Sequence, residues 1–148
     1  MRLTVYTDYS LRVLMYLGVR GQDHLATIQE IADTYQISKN HLMKVTYDLG
    51  KYGYIETIRG RGGGIRLAIA PQEIVIGEVV RKTEEDFHIV ECFNPENNLC
   101  RIAPECRLKN ALYEALQAYL KVLDSYTLED VIHSKTSLMQ LFGLGEKE

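Results

Sequence analysis

The sequence predicts a mostly α protein with one small β-hairpin, in which a winged helix-turn-helix precedes a long dimerisation helix. Three observations predict this fold. Residues 28–51 show two short amphipathic helical patterns joined by a tight turn. Two β-prone runs flank the glycine-rich stretch 59–64, and residues 104–125 carry an apolar stripe at helical spacing.

The first helix is expected to begin with Thr7 or Asp8 as its N-cap and to end at about Arg20. A second helix is expected over 28–35. Ser38 is expected to cap a third helix that ends near Lys51.

The hairpin follows, with strands expected over 54–58 and 65–69. The basic, glycine-rich segment between them forms the tip of the hairpin, which is the wing. A nucleotide-binding phosphate loop is discounted because such a loop joins a strand to a helix and is followed by Lys-Ser or Lys-Thr.

A short helix is expected over 76–83 and a long helix from Pro104 to Ser125. Thr127 and Asp130 read as the capping box of a last helix through Phe142, after which 143–148 should fray. The expected regions are 1–70 for DNA binding, 71–103 for a connecting helix and cysteine loop, and 104–148 for dimerisation and the C-terminal helix. The long helix exceeds what so small a domain needs, so part of its stripe is expected to pack against a second chain.

Charge divides unevenly along the 148 residues, whose net charge is -3. Residues 1–66 hold 9 Lys and Arg against 6 Asp and Glu, and residues 67–148 hold 8 against 14. The first part is therefore positive and suits contact with phosphate, whereas the acidic remainder limits indiscriminate binding to nucleic acid.

No uncharged run of about 18 residues occurs, so neither a signal peptide nor a membrane span is expected. The three cysteines are odd in number and do not suit a secreted disulfide framework. The cytoplasm is the expected location.

Projection of the third helix at 100° per residue separates two sides, one mainly apolar and one polar. The first side carries Leu42, Val45, Leu49 and Ser38, and the second carries Asn40, Lys44, Tyr47 and Lys51. Asn and Lys side chains pair with base edges, and Tyr and Lys bind phosphate, so the polar side suits a major groove. The residues expected at DNA are Ser38, Lys39, Asn40, Lys44, Tyr47 and Lys51 of this helix, with Arg59 and Arg61 of the wing entering a minor groove. Taken alone, the polar side of such a helix is more often only a solvent-exposed face. The basic hairpin that follows it favours the interpretation as a DNA-binding surface.

Cys92, Cys100 and Cys106 lie within 15 residues of one another, and the chain has no other cysteine. Without a CxxC pair, a structural zinc site is less natural than a bulkier cluster whose ligands come from a wide loop. Cys106 lies near a helix start, which favours the thiolate form needed for ligation. Three thiolates leave one position for His, Asp, Glu or a small molecule.

Taken together, the Tyr-Thr-Asp-Tyr start at 6–9, the segment 37–42, the wing at 59–64, the segment 76–80 and the three cysteines resemble the iron-sulfur winged-helix regulators of the IscR/NsrR family. The resemblance runs from about Met1 to Phe142 and implies a regulator rather than an enzyme. The four histidines are scattered and form no catalytic motif, which also argues against an enzyme.

This resemblance implies a homodimer that crosses through the long helix and binds a palindromic double-stranded DNA operator. It implies an iron-sulfur cluster on Cys92, Cys100 and Cys106, with 4Fe-4S favoured over 2Fe-2S, and a fourth ligand from Asp8 of the partner subunit. Nitric oxide is the implied signal, and its entry is expected at the hard oxygen ligand. The alternative role for Asp8 is an N-cap, and the alternative function is an IscR-like, thiol-disulfide or zinc sensor that binds DNA.

Overall fold

Helices surround one short antiparallel hairpin in this computed structural model, which describes residues 1–145. The helices of that part of the chain are α1 (Val5–Arg20), α2 (Ile28–Tyr35), α3 (Lys39–Lys51), α4 (Ile76–Thr83), α5 (Arg107–Asp124), α6 (Leu128–Val131) and α7 (Lys135–Leu141). The strands are β1 (Ile55–Ile58) and β2 (Gly64–Leu67), and 3-10 turns lie at Pro71–Glu73, Glu91–Phe93 and Ala103–Glu105. The predicted mostly α fold with a small hairpin is confirmed.

The core is organised around α1, which contacts α3, α4, α6, α7 and β2. Leu14 and Leu17 of α1 are buried, and full burial of such a side chain contributes about 1.5–3 kcal/mol. Leu128 and Ile132, from the other end of the chain, are fully buried in the same cluster. The helix-turn-helix and the C-terminal segment therefore share one apolar core.

The start of α1 differs from the prediction. Thr4 is the N-cap: its backbone is extended, and its hydroxyl accepts from the backbone N–H of Thr7 at 3.3 Å. The expectation that Thr7 or Asp8 caps this helix was wrong. Asp8 instead lies in the first turn, and Thr7 is fully buried.

The helix-turn-helix has the predicted bounds. A capping box starts α2, in which the Thr27 hydroxyl accepts from Glu30 N and the Glu30 carboxylate accepts from Thr27 N. Gln36 takes a left-handed conformation (φ 54°) and turns the chain into α3. Ser38 occupies the N-cap position of α3, but its side chain makes no capping hydrogen bond there, contrary to the expected hydroxyl cap.

The hairpin pairs Ile55 with Leu67 and Ile58 with Gly64, so its strands are shorter than predicted. Ala26, just before α2, exchanges two backbone hydrogen bonds with Ile65, at 2.9 and 2.7 Å. These bonds attach the wing directly to the helix-turn-helix.

The long helix begins at Arg107 rather than at Pro104. Pro104 lies in the 3-10 turn, and Cys106 is the N-cap, with its sulfur accepting from Lys109 N at 3.3 Å. An extended backbone at Cys106 separates the turn from α5.

The C-terminal segment contains two helices rather than the single one predicted through Phe142. The capping box of Thr127 and Asp130 is confirmed, but α6 ends before Ile132, whose buried side chain packs in the core. Leu144 also packs against the core and donates to Met139 O at 2.9 Å, so fraying does not begin at Gly143. The remainder of the predicted frayed segment, 146–148, lies outside the described residues.

Candidate DNA-binding surface and cysteine loop

Packing of one face fixes the orientation of α3. Leu42, Val45 and Leu49 are buried at 0%, 1% and 0% relative exposure, as predicted for the apolar side, whereas Ser38, which was expected on the same side, is exposed. This face contacts α1 and α2, so the opposite face of the helix points to solvent. An α-helix with one exposed polar face has the width to enter a major groove.

All six residues of α3 and its N-cap that were expected at DNA are exposed. Tyr47 is the largest of these side chains that is apolar in part, and it is 67% exposed although an aromatic ring is usually at least partly buried. The Lys51 ammonium lies 5.5 Å from the centre of the Tyr47 ring. The structure therefore brings an aromatic ring and a cation together on this surface.

The wing carries its two arginines at an exposed tip. Arg59 and Arg61 follow the last paired residue of β1, and both are exposed. Gly60 and Gly62 take positive φ values of 102° and 76°, which side chains with a Cβ rarely adopt. The glycines thus allow the sharp path that holds both arginines away from the core.

Two further exposed side chains on α3 were missed in the sequence. Met43 is 51% exposed, and His41 is exposed with its ring 6.0 Å from that of Tyr9. Helical projection places both at the borders of the polar side, so their angular position was the available signal. A methionine at this position offers an apolar contact of the kind that thymine methyl groups make.

The first turn of α1 borders the same surface. The Tyr6 hydroxyl donates to Asp48 Oδ2 at 2.5 Å, and the Lys44 ammonium lies 5.6 Å from the Tyr6 ring centre. Burial, followed by the hydrogen bond to Asp48, raises the pKa of Tyr6 well above its usual range. Tyr6 is therefore a neutral donor at physiological pH. Neither Tyr6 nor Asp48 was among the residues predicted from the sequence.

The three cysteines are free thiols in the segment that joins α4 to α5. Cys92 and Cys106 are half-buried and Cys100 is exposed. Asparagine side chains shape the loop between them: Asn98 Oδ1 accepts from Cys100 N and Asn94 Oδ1 accepts from Glu96 N, both at 3.0 Å. These hydrogen bonds fix local turns in the loop and involve none of the sulfur atoms.

The donor set fits a thiophilic metal group, because three reduced sulfurs lie close in sequence and two of them are partly shielded from water. Residues 1–145 contain no group of three or more His, Cys, Asp or Glu side chains already gathered for a metal ion. The single chain therefore supplies suitable ligands but not a preassembled centre.

Asp8 is held by an arginine one turn later. Its carboxylate accepts from Arg12 Nη2 at 2.9 Å and from Arg12 Nε at 3.1 Å. The Asp8 side chain remains 47% exposed. Because Thr4 supplies the helix cap, the alternative role of Asp8 as an N-cap was wrong.

Glu84, which follows α4, is bonded to the start of α1. Its Oε1 atom accepts from the backbone N–H of Thr4 at 2.7 Å and from the Thr4 hydroxyl at 3.0 Å. The N-cap of α1 is thereby tied to the acidic segment that leads to Cys92.

No helix in residues 1–145 is both long and apolar enough to cross a membrane.

Comparison with known families gives a match over most of the chain. Residues 3–134 match the Rrf2 family model, which is described as an iron-dependent transcriptional regulator. The HTH-type transcriptional regulator NsrR of Bacillus subtilis is 61% identical over 146 residues, which cover 99% of this chain and 100% of the relative. The regulator of the same name from Halalkalibacterium halodurans is 56% identical, with coverage of 97% and 99%.

Solved structures show the same fold. CymR (YrzC), the global cysteine regulator of B. subtilis, superposes with a TM-score of 0.70 at 26% identity and covers 90% of this chain and 98% of its own. IscR of T. potens has a TM-score of 0.72 at 20% identity, with coverage of 93% and 90%. The architecture described above is thus that of known transcriptional regulators.

Proposed function

The chain belongs to the Rrf2 family of transcriptional regulators, and we propose that it is a nitric-oxide-responsive repressor that binds a palindromic operator as a homodimer. Release of the operator on nitrosylation of an iron-sulfur cluster is the regulatory step of this proposal. This proposal rests on the 61% identity, over 99% of the chain, to a regulator named NsrR, together with the three free cysteines in one loop. Relatives with these names are regulators, so the protein is not an enzyme.

DNA recognition is assigned to the exposed face of α3 and to the wing. Asn40 and Lys44 suit base edges, whereas Ser38, at the N-terminus of α3, suits phosphate. The remaining contacts are assigned to Lys39, Tyr47, Lys51, Arg59 and Arg61, all of which are exposed. A two-fold dimer would present two such surfaces about 34 Å apart, as half-sites one helical turn apart require.

The homodimer is assigned to α5. Leu116 and Leu120 are buried against the rest of the chain, but a different face of the same helix carries Leu108 and Val122, about 40° apart around the axis, at 66% and 57% exposure. Apolar residues at this exposure along a helix of 18 residues are a suitable surface for the same helix of a second chain.

Cys92, Cys100 and Cys106 would hold the cluster, with Asp8 of the partner subunit as the fourth ligand and 4Fe-4S as the favoured type. When bound, such a cluster supplies iron that reacts with nitric oxide. The reducing cytoplasm, where we place the protein, keeps the three thiols available for ligation.

Arg12 governs how readily Asp8 can act as a ligand. Both Asp8 oxygens accept hydrogen bonds from Arg12, so the guanidinium competes with a metal ion for the charge and lone pairs of this carboxylate. Arg12 is itself held by neighbouring rings, with its guanidinium carbon 5.8 Å from the Tyr9 ring and 5.7 Å from the Tyr35 ring. A carboxylate that leaves a metal therefore finds a fixed cationic partner one turn away.

The test compares four proteins purified without oxygen: the wild type, Cys100→Ser, Asp8→Ala and the control Asp23→Ala. Asp23 is an exposed aspartate in the turn after α1 and has no proposed role. Iron and sulfide are measured, and mobility shift with a palindromic operator of a nitric oxide detoxification gene is recorded before and after stoichiometric nitric oxide.

We expect equal iron and sulfide, and operator release by nitric oxide, in the wild type and in Asp23→Ala. Cys100→Ser should lose the cluster, and Asp8→Ala should change its spectrum and its response. Iron-free wild-type protein that binds zinc, or that releases DNA on thiol oxidation, would replace this function with a zinc or thiol-disulfide sensor. An unchanged response in Asp8→Ala would remove Asp8 from the ligand set.

A further inference from the structure

The contact between the first turn of α1 and the edge of α3 has a consequence for DNA binding. One phenol, that of Tyr6, touches two charged residues of α3: it donates to the Asp48 carboxylate and lies beneath the Lys44 ammonium. Tyr6 and Asp48 are 42 residues apart in the sequence, so only the packing of α1 on α3 creates this group.

Asp48 is placed where a free carboxylate would weaken DNA binding. At 100° per residue, Asp48 lies about 40° from Lys44 and about 60° from Lys51 around the helix. Both lysines belong to the face assigned to DNA. A negative charge at this border repels phosphate, and the repulsion falls with added salt.

The Tyr6 hydroxyl offsets that charge, because a hydrogen bond to an ionised acceptor is stronger than a neutral one and fixes the carboxylate toward α1. The Tyr6 ring also sits within cation-π distance of Lys44, which restricts the directions that the Lys44 side chain can take.

We propose that Tyr6 is a positioning residue of the DNA-binding surface, which holds the Asp48 carboxylate away from the DNA backbone and orients Lys44 for its contact with the DNA. The inference rests on the proposed role of α3 in DNA recognition. Tyr6 itself does not touch DNA in this arrangement, and it acts through its two neighbours.

The test is a double-mutant cycle with Tyr6→Phe, Asp48→Asn and the combined variant. Phenylalanine keeps the ring beneath Lys44 but removes the hydroxyl, and asparagine removes the charge. Tyr52→Phe is the matched control. The hydroxyl of Tyr52, which directly follows α3, donates to the backbone carbonyl of Lys82 in α4 at 3.1 Å. Its loss also removes a hydrogen bond to a neighbouring helix but leaves no carboxylate unpaired.

Dissociation constants are measured by fluorescence anisotropy at several salt concentrations, before nitric oxide is added. The probe is a duplex that the wild-type dimer selects from a randomised pool, and urea unfolding verifies that each variant is folded. Tyr6→Phe should weaken binding about tenfold at low salt and less at high salt. Asp48→Asn should bind as well as the wild type, and the combined variant should recover to within about threefold of Asp48→Asn.

A purely structural role predicts another pattern. Tyr6→Phe would then bind like Tyr52→Phe, or Asp48→Asn would fail to rescue it, and either result overturns the proposal. A wild-type protein that ignores nitric oxide would contradict the proposed function but would leave this comparison intact, since all proteins are compared before nitric oxide is added.

Discussion

Replacement of Gly77 by alanine tests how closely α4 and α5 pack, and so how firmly the long helix is joined to the DNA-binding part of the chain. A Cβ atom at Gly77 would overlap Oδ1 of Asp124 and lie 2.9 Å from the Asp124 backbone nitrogen. The side-chain oxygen could rotate away only by leaving Arg81, to which Asp124 Oδ2 is bonded at 2.9 Å. The backbone nitrogen cannot rotate away, so one helix must move.

The size of the effect follows from two opposing contributions. Insertion of a methyl group into a tightly packed contact costs about 1–3 kcal/mol. Alanine in place of glycine recovers at most about 1 kcal/mol, the value for a helix interior, because Gly77 lies in the first turn of α4. Gly77→Ala is therefore expected to lower the free energy of unfolding by about 1 kcal/mol.

Gly50→Ala is the control, because the nearest atoms to its Cβ, both in Ile55, are 3.9 and 4.0 Å away. This variant should gain about 0.5–1 kcal/mol from helix propensity alone. Both are compared by urea unfolding at one fixed protein concentration, since dimerisation contributes to apparent stability. Equal shifts in the two variants would refute the close packing of α4 on α5.

Three further predictions concern the wing, the long helix and acid stability. Arg61→Ala should weaken operator binding and, in an anisotropy titration, reduce the slope of log affinity against log salt by about 0.9 for each phosphate that the variant leaves without a cationic partner. Val122→Glu should place a charge on the exposed apolar edge of α5 and shift sedimentation toward the monomer. The pKa of Asp124 is held below its ordinary value mainly by the hydrogen bond from Arg81. The ion pair therefore stabilises the fold at pH values above the ordinary aspartate pKa, and this stabilisation is lost as the pH falls through the lowered pKa of Asp124. The urea midpoints of the wild type and Asp124→Asn should accordingly differ at pH 7, and this difference should disappear at acid pH.

Matched variants make each of these outcomes decisive. Arg66 is paired with Glu56 at 2.6 Å within the hairpin, so Arg66→Ala should leave the salt slope nearly unchanged. Leu141 is 82% exposed on α7, so Leu141→Glu should leave the dimer intact. Equal effects within either pair would contradict the assignment of the wing or of α5. A midpoint difference for Asp124→Asn that persists in acid would contradict the ion-pair explanation.

The two faces of α3 could be predicted from the sequence because helical periodicity is a local rule. Leu42 and Leu49 recur at the spacing of a buried stripe, and Asn40 and Lys44 fall opposite them. The wing was equally accessible, since two β-prone runs around a glycine-rich segment have few other arrangements.

Contacts between distant segments could not be predicted in the same way. The first ten residues contain several side chains able to cap a helix, and Thr4 is the one that caps α1. Its hydroxyl and its backbone N–H also donate hydrogen bonds to Glu84. The Tyr6–Asp48 hydrogen bond likewise depends on the packing of α1 against α3. Neither of these two contacts can be identified from a local sequence pattern, because their partners are far apart in the chain.

The break after α6 has a similar origin. Ile132 is fully buried and Leu138 packs against the same core, and one straight helix would not direct both side chains into it. The cysteine loop is a different case: its ligand types are visible in the sequence, but a ligand from a second chain is a property of the assembly rather than of local spacing.

The most direct measurement is a single anaerobic titration in which nitric oxide is added stepwise to the protein–operator complex. Operator anisotropy and the visible absorbance of the cluster are recorded in the same cuvette. We expect the anisotropy to fall in step with the change in absorbance and to reach that of free DNA when the absorbance change is complete. DNA that remains bound after the absorbance change is complete would contradict control of the operator by the three-cysteine site.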